Sequence, residues 1–256
     1  MSAELLIVGN RAGSPGPDGP AGGYVLQVDG KNILIDCGPG VLAELARRRL
    51  SQQIDAIIIS HRHADHSADL PAYSYHQSFP RVQEPIPLFA PEGFAEYLDA
   101  LDSIHGIPTL AEMRTPIRTQ FELSTVEPGS SFSVAGFQVN TILASHPVPC
   151  LSIQFPELGF VYTADTAKTP ALVAFSRGAK LLLSEATYPN PEGHDFTEHG
   201  HMSGFEAGEL AAESGVDRLV LTHLSDYDDA EETLANARSR FPGSITLAEV
   251  GARFPL

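Results

Sequence analysis

Six consecutive positions behind an isoleucine-rich stretch carry three imidazoles and a carboxylate, in the order His61-Arg62-His63-Ala64-Asp65-His66. At a strand end, residues two apart project to one side, so His61, His63 and Asp65 converge, and entry into a helix swings His66 alongside. Imidazole and carboxylate are ligands for Zn, Mn or Fe alike. The spacing fits a metal site divided between two ions. By naive composition such a pattern arises by chance in about one chain in a thousand of this length, which makes a solvated polar loop the weaker reading. Three isolated residues, His146, Asp165 and His223, stand directly behind apolar, strand-like segments. Each marks a strand-to-loop corner, where further ligands for a pair of ions belong.

The elements that position these residues follow from apolar patterning and turn signals. Short strands are expected at Leu5 to Val8, Tyr24 to Val28 and Asn32 to Ile35, with Asp29-Gly30 as a hairpin turn. Val41 to Leu50 has helical spacing, Ile54 to Ser60 returns to a buried strand, and Ala68 to Phe79 reads as helix. Pro87 to Ala90 followed by Glu92 to Ile104 makes a strand and helix. Phe121 to Ala144 alternates as an antiparallel meander turning at Pro128-Gly129, and Leu151 to Phe155 with Phe160 to Thr163 adds a hairpin. Helices at Thr169 to Ser176, Gly204 to Ser214 and Asp229 to Arg240 then alternate with strands at Lys180 to Leu183, Arg218 to Thr222 and Ser244 to Ala248. Strands and helices repeated in two halves predict one α/β domain over residues 1–256, a four-layer αββα sandwich.

Composition narrows the function classes. The 256 residues carry 32 Asp plus Glu against 16 Lys plus Arg, a formal net charge of −16, so the surface lacks the basic footprint of a nucleic-acid binder. No apolar run approaches the roughly 18 residues that cross a bilayer, and the first residues lack a cationic signal region. A cytoplasmic protein without a membrane partner is expected. Cys37 and Cys150 cannot form a CxxC site and read as small buried side chains.

His61-x-His63-x-Asp65-His66 followed by His146, Asp165 and His223 resembles the full metal-binding series of the metallo-β-lactamase superfamily, in order and over nearly the whole chain. The resemblance implies the αββα fold. It also implies that His61, His63 and His146 hold a first ion, that Asp65, His66 and His223 hold a second, and that Asp165 bridges both. Asp36, in Leu34-Ile35-Asp36-Cys37-Gly38, resembles the aspartate that braces the ligand loop. Ser184-Glu185-Ala186-Thr187 with His199-Gly200-His201-Met202-Ser203-Gly204 resembles the HEAT box and following histidine element of ribonuclease Z and its phosphodiesterase relatives. His201 matches the family's catalytic histidine, with Glu185 as its partner. Ser184 departs from the usual histidine and carries no catalytic role.

Ribonuclease Z also inserts a long tRNA-gripping arm between the ligands matching His146 and Asp165. Here those residues are 19 apart, and 147–164 contains no Lys or Arg. The layout, including the Gly/Pro-rich Gly9 to Tyr24, is similar instead to metallo-β-lactamase-fold cyclic-nucleotide phosphodiesterases. The resemblance thus implies a dinuclear hydrolase of a small nucleotide phosphodiester, expected to be 3′,5′-cyclic AMP, acting through a metal-bridging hydroxide. Asp65 would take the proton of the nucleophile, and His201 would stabilise the developing phosphorane or protonate the leaving oxygen. Zn is the expected metal, with Mn or Fe as alternatives, and a homodimer stays open.

Rival readings are a ribonuclease Z-like RNA 3′-end nuclease, a glyoxalase II-like thioesterase and a catalytically silent metal-stabilised binding protein. The Gly9 to Tyr24 stretch is read as a plain connection. Tyr73, Tyr75, His76 and Phe79 are read as core packing rather than a stacking surface. The acidic run from Asp226 to Glu232 is read as a solvated face.

Overall fold

Short runs of β-branched and aliphatic residues, bounded by Gly, Pro and Asp turns, assemble two seven-stranded sheets in the computed structural model, which describes residues 2–191 and 199–256. The first sheet contains β1 (Ala3–Gly9), β2 (Gly23–Val28), β3 (Lys31–Ile35), β4 (Ala56–Ile58), β5 (Ile86–Ala90) and β6 (Phe121–Thr125) in spatial sequence. The second contains β7 (Ser131–Val134), β8 (Phe137–Leu143), β9 (Leu151–Phe155), β10 (Phe160–Tyr162), β11 (Leu181–Glu185), β12 (Arg218–Thr222) and β13 (Ser244–Leu247), again neighbour to neighbour. A last strand, β14 (Arg253–Pro255), returns to pair antiparallel with β1. Parallel pairing joins β3 through β6 in one sheet and β10 through β13 in the other.

Both faces of the central strands are covered, so period-2 alternation partitions apolar residues between layers rather than between core and water. In β1, Leu5 and Ile7 enter the core between the sheets while Leu6 and Val8 face the outer helices. In β11, Leu181 and Leu183 face the other sheet, and Leu182 packs outward. The helices α1 (Val41–Arg47), α2 (Ala64–Ser67), α3 (Leu70–Ser78), α4 (Phe94–His105) and α5 (Pro116–Gln120) follow strands of the first sheet. On the second sheet are α6 (Pro170–Phe175), α7 (Gly204–Ser214) and α8 (Ala230–Arg238). The αββα expectation is met. α7 and α8 approach closely at glycines: a Cβ on Gly204 or Gly208 would lie 2.4 or 2.5 Å from the carbonyl oxygen of Thr233 or Ala237. No helix among the described residues is long and apolar enough to cross a membrane.

Several expected boundaries shift for identifiable reasons. Asp29 and Gly30 make the predicted hairpin, both with positive φ. The helix expected from Ala68 begins earlier, as α2 inside the ligand loop, and restarts as α3 with Pro71 in its first turn. The meander over Phe121 to Ala144 is corrected. β6 pairs parallel with β5 in the first sheet, and only β7 and β8 form a hairpin, turning at Ala135-Gly136. Pro128-Gly129 lies in the crossing between sheets. α5 and β14, each five residues or fewer, were not expected. Cys37 and Cys150 are buried free thiols, and burial pushes both pKa values up.

Candidate metal centre

The carboxyl ends of strands with parallel partners, where open α/β sheets present their ligand-binding crevices, deliver Asp36, His61 to His66, Asp165, Glu185 and His223, while His146 follows the antiparallel β8 and His201 precedes α7. Asp36 leaves β3 with φ 60°, a conformation short polar side chains tolerate. Its Oδ1 accepts the Ser60 N–H at 2.7 Å, and its Oδ2 accepts from Ser60 Oγ at 2.9 Å and Tyr162 Oη at 2.8 Å. His66 Nδ1 lies 2.8 Å from the same Oδ2 and must donate to it, which turns His66 Nε2 toward Asp165 Oδ1 at 3.3 Å. Asp36 thereby ties both sheets to the ligand loop.

His61, His146 and His223 are oriented in the same way, by a partner on the nitrogen that faces away. His61 Nδ1 is 3.0 Å from Ser60 Oγ, whose proton is already given to Asp36, so the ring donates. His146 Nδ1 donates to the Gly200 carbonyl at 3.0 Å, and His146 Nε2 lies 3.0 Å from His63 Nδ1. His223 Nδ1 donates at 2.8 Å to Thr187 Oγ1, whose own proton goes to Glu185 Oε2 at 2.7 Å. His223 Nε2 then faces Asp65 Oδ2 at 3.1 Å and Asp165 Oδ2 at 3.4 Å.

Candidate ligand atoms of His61, His63, His146 and Asp165 all lie within 4.8 Å of one another, as do those of Asp65, His66, Asp165 and His223. Asp165 belongs to both sets. A cation fits them chemically, because His61 Nε2 and Asp165 Oδ1 are buried polar atoms without hydrogen-bond partners at the centre of the cluster. Burial lowers the pKa of His61, His63 and His146, which favours the neutral, ligating form. Burial would raise Asp65, yet hydrogen bonds from His223 and His66 hold it well below the usual carboxylate range. His66 moves the other way: burial disfavours its charge, but Asp165 and Asp36 outweigh burial and raise it. A proton there supplies positive charge that the carboxylates demand and that a cation replaces.

Glu185, His201 and His223 form a third group of nearby ligand atoms. The buried Glu185 carboxylate, however, accepts from Thr166 N at 2.7 Å, Met202 N at 3.1 Å, Thr187 Oγ1 and His201 Nδ1 at 3.1 Å. Four donors occupy its lone pairs and leave none for an ion. Its effect falls on His201 instead: burial opposes charge on the ring, and Glu185 overcomes it and pushes the pKa up to about 9. His201 stacks on His223 with ring centroids 5.5 Å apart.

These residues sit at the floor of a cavity of about 610 Å³, lined among others by His63, Asp65, Asp165, His201 and His223. The sequence-derived residues, Asp36 included, are brought together here. Two readings need correction. Ala12 to Pro17 of the Gly/Pro-rich stretch line the cavity, and Gly13 N donates to Asp65 Oδ2 at 2.7 Å, so the stretch is a wall and not a plain connection. The acidic run is exposed as expected, and its first residue, Asp226, also lines the cavity and pairs with Arg11 at 3.2 Å. Tyr73 is buried, and the Tyr73 and Tyr75 hydroxyls donate to the Ser51 and His105 carbonyls, so their expected packing role agrees with their contacts. The second correction is Phe79, expected in the core but exposed, and it does not line the cavity.

Sequence reasoning passed over Thr187 and Gly200. Thr187 joins Glu185 to His223. Gly200 adopts φ 70°, and a Cβ there would fall 2.7 Å from His146 Cα. The positions beside Glu185 and between His199 and His201 were the available signals.

Comparison with known proteins places this arrangement. Residues 31–224 match the Beta-lactamase superfamily domain. The chain is 26% identical over 254 residues to "Probable metallo-hydrolase YhfI" of Bacillus subtilis, covering 97% of this chain and 98% of that protein. The crystal structure of YhfI superposes with a TM-score of 0.85 over 100% of this chain and 99% of the other. Ribonuclease Z of Salinispora arenicola is 30% identical over 290 aligned positions, covering 96% and 94% of the two chains. Human tRNase Z, short form, has the same fold, with a TM-score of 0.77 at 23% identity over 98% of each chain. The chain belongs to the metallo-β-lactamase superfamily and is a metal-dependent hydrolase.

Proposed function

We propose that the protein hydrolyses a small nucleotide phosphodiester, with 3′,5′-cyclic AMP as the expected substrate, and that it holds two divalent ions, Zn first among Zn, Mn and Fe. His61, His63 and His146 would hold one ion, Asp65, His66 and His223 the other, and Asp165 both. When bound, such ions neutralise charge on phosphoryl oxygens and lower the pKa of water. Water is the nucleophile, and the P–O bond to the ribose 3′-oxygen breaks. His201, kept charged by Glu185, donates the proton that the leaving oxygen needs. Asp65 would accept a proton from the attacking water and, with its carboxyl held well below the usual range, release it to solvent, from which His201 regains its own.

The observation that carries this reading is the short connection between His146 and Asp165. It consists of β9, a turn and β10, without a basic residue, so an RNA-gripping arm has no place there. The 290 positions aligned with Salinispora ribonuclease Z exceed the 256 residues of this chain by 34, so that relative has segments without a counterpart here. RNA 3′-end cleavage remains the second reading, favoured by that 30% identity. Metal-reconstituted protein assayed against cyclic AMP, bis(p-nitrophenyl) phosphate, a precursor tRNA and a thioester separates the readings. Cleavage of the first two alone is expected, and efficient tRNA processing or thioester hydrolysis would overturn the proposal.

A further inference from the structure

The cavity has a polar floor and a different kind of rim. Among the exposed large hydrophobic residues described, Tyr227 is the most exposed, at 100% relative accessibility, and it is the one that lines this cavity. Pro15 and Pro17 line it as well. These side chains come from two loops that are fastened together. Leu224 N donates to the Asn10 carbonyl at 2.9 Å, and Ala12 N donates to the Leu224 carbonyl at 3.1 Å. Arg11 pairs with both Asp18 and Asp226. Gly16 passes so close to Asp226 that a Cβ would lie 1.7 Å from its carboxylate. The first loop also holds Asp65 through Gly13, and the second begins at His223, so both loops of the rim are tied to residues of the floor.

A water-exposed aromatic ring on a loop that opens into a cluster of metal-ligand type calls for a flat apolar partner. The charges around it decide which part of a substrate that is. Asp226, Asp228 and Asp229 flank Tyr227, so an anion is repelled from the rim and drawn to the floor, while an uncharged ring is tolerated above. We propose that Tyr227, with Pro15 and Pro17, forms a stacking surface for the nucleobase of the substrate, making Tyr227 a specificity-determining residue. This rests on the phosphodiester reading above and adds that the substrate is a nucleoside derivative rather than a base-free phosphodiester. Stacking engages the π-face that every base has, so recognition favours a base over no base more than one base over another.

The test uses equilibrium binding, which needs no turnover. Titration calorimetry of metal-replete protein compares 5′-AMP with ribose 5-phosphate, which carry the same phosphate and differ in the base. AMP is expected to bind about 10- to 100-fold more tightly, the range that one base on one aromatic ring contributes. That gap should collapse in Tyr227→Ala and persist in Tyr227→Phe, with ribose 5-phosphate affinity the same in all three proteins. Equal affinities in the parent, no measurable binding of either ligand, or a gap that survives Tyr227→Ala would each overturn the inference. A Tyr227-dependent gap in a protein that fails to cleave cyclic nucleotides would instead overturn the proposed reaction and leave the stacking surface standing.

Discussion

Glu185 and Thr187 show how a few buried atoms can separate proton handling from metal holding. Glu185 spends its lone pairs on Thr166, Met202, Thr187 and His201, so it acts on chemistry through His201 and not as a ligand. His201→Ala should therefore leave metal content near that of the parent and lower turnover by about 10²- to 10⁴-fold, the usual range for a lost general acid. Glu185→Gln should act in the same direction with a smaller loss. Elemental analysis beside kinetics decides, and the loss of one metal equivalent in His201→Ala would make His201 a ligand. Thr187→Val tests the converse. Removing Oγ1 frees the Nδ1–H of His223, so metal affinity should fall by about 10- to 100-fold, as for other groups that orient a ligand. Competition with a chromophoric chelator measures it, and unchanged affinity would show that His223 needs no such support.

At the scale of elements, α7 carries His201 at its entrance, and two features fix its position. Ser203 accepts the Glu206 N–H while Glu206 returns a bond to Ser203 N, a complete capping box. Gly208 lets α8 approach until a Cβ would meet the Ala237 carbonyl at 2.5 Å. Gly208→Val should cost about 1–3 kcal/mol through overpacking, and Ser203→Ala about 1 kcal/mol through the lost cap. At roughly 2–4 °C per kcal/mol for a chain of this size, thermal melts resolve both, and a Gly208→Val melt equal to the parent's would contradict the close approach. The same elements show what was legible. α7 matched its predicted bounds because cap, periodicity and terminal glycine are all local signals. β6 did not, because a parallel partner some 35 residues away leaves the same alternating pattern as a hairpin neighbour. The ligand residues stood out because their types are rare and closely spaced. Gly13, Thr187 and Tyr227 did not, because a backbone amide, a threonine and a lone tyrosine acquire their surroundings only when distant loops meet.

For the whole molecule, the deciding quantity is the net charge of −16 set against a cluster that gathers the carboxylates of Asp36, Asp65 and Asp165. Cations bound there relieve repulsion that folding creates, so stability is linked to metal: an ion present at 1,000 times its Kd adds about 4 kcal/mol. Chelation should lower the melting temperature and Zn or Mn restore it, whereas a melt insensitive to chelator would count against a resident ion. The same charge sorts substrates by length. A cyclic mononucleotide carries one negative charge to the centre, so the acidic surface costs it little. A precursor tRNA must lay many phosphates across that surface, without the released counterions and basic contacts on which RNA affinity rests. Low salt exposes the difference most clearly, because the Debye length grows to about 30 Å at 0.01 M and long-range repulsion is then least screened. Lowering the salt should accordingly leave cyclic AMP turnover nearly unchanged while precursor tRNA stays uncut and fails to compete. A tRNA that inhibits more strongly as salt falls would reveal a local basic surface able to overcome the acidic whole, and net charge would then not govern RNA binding.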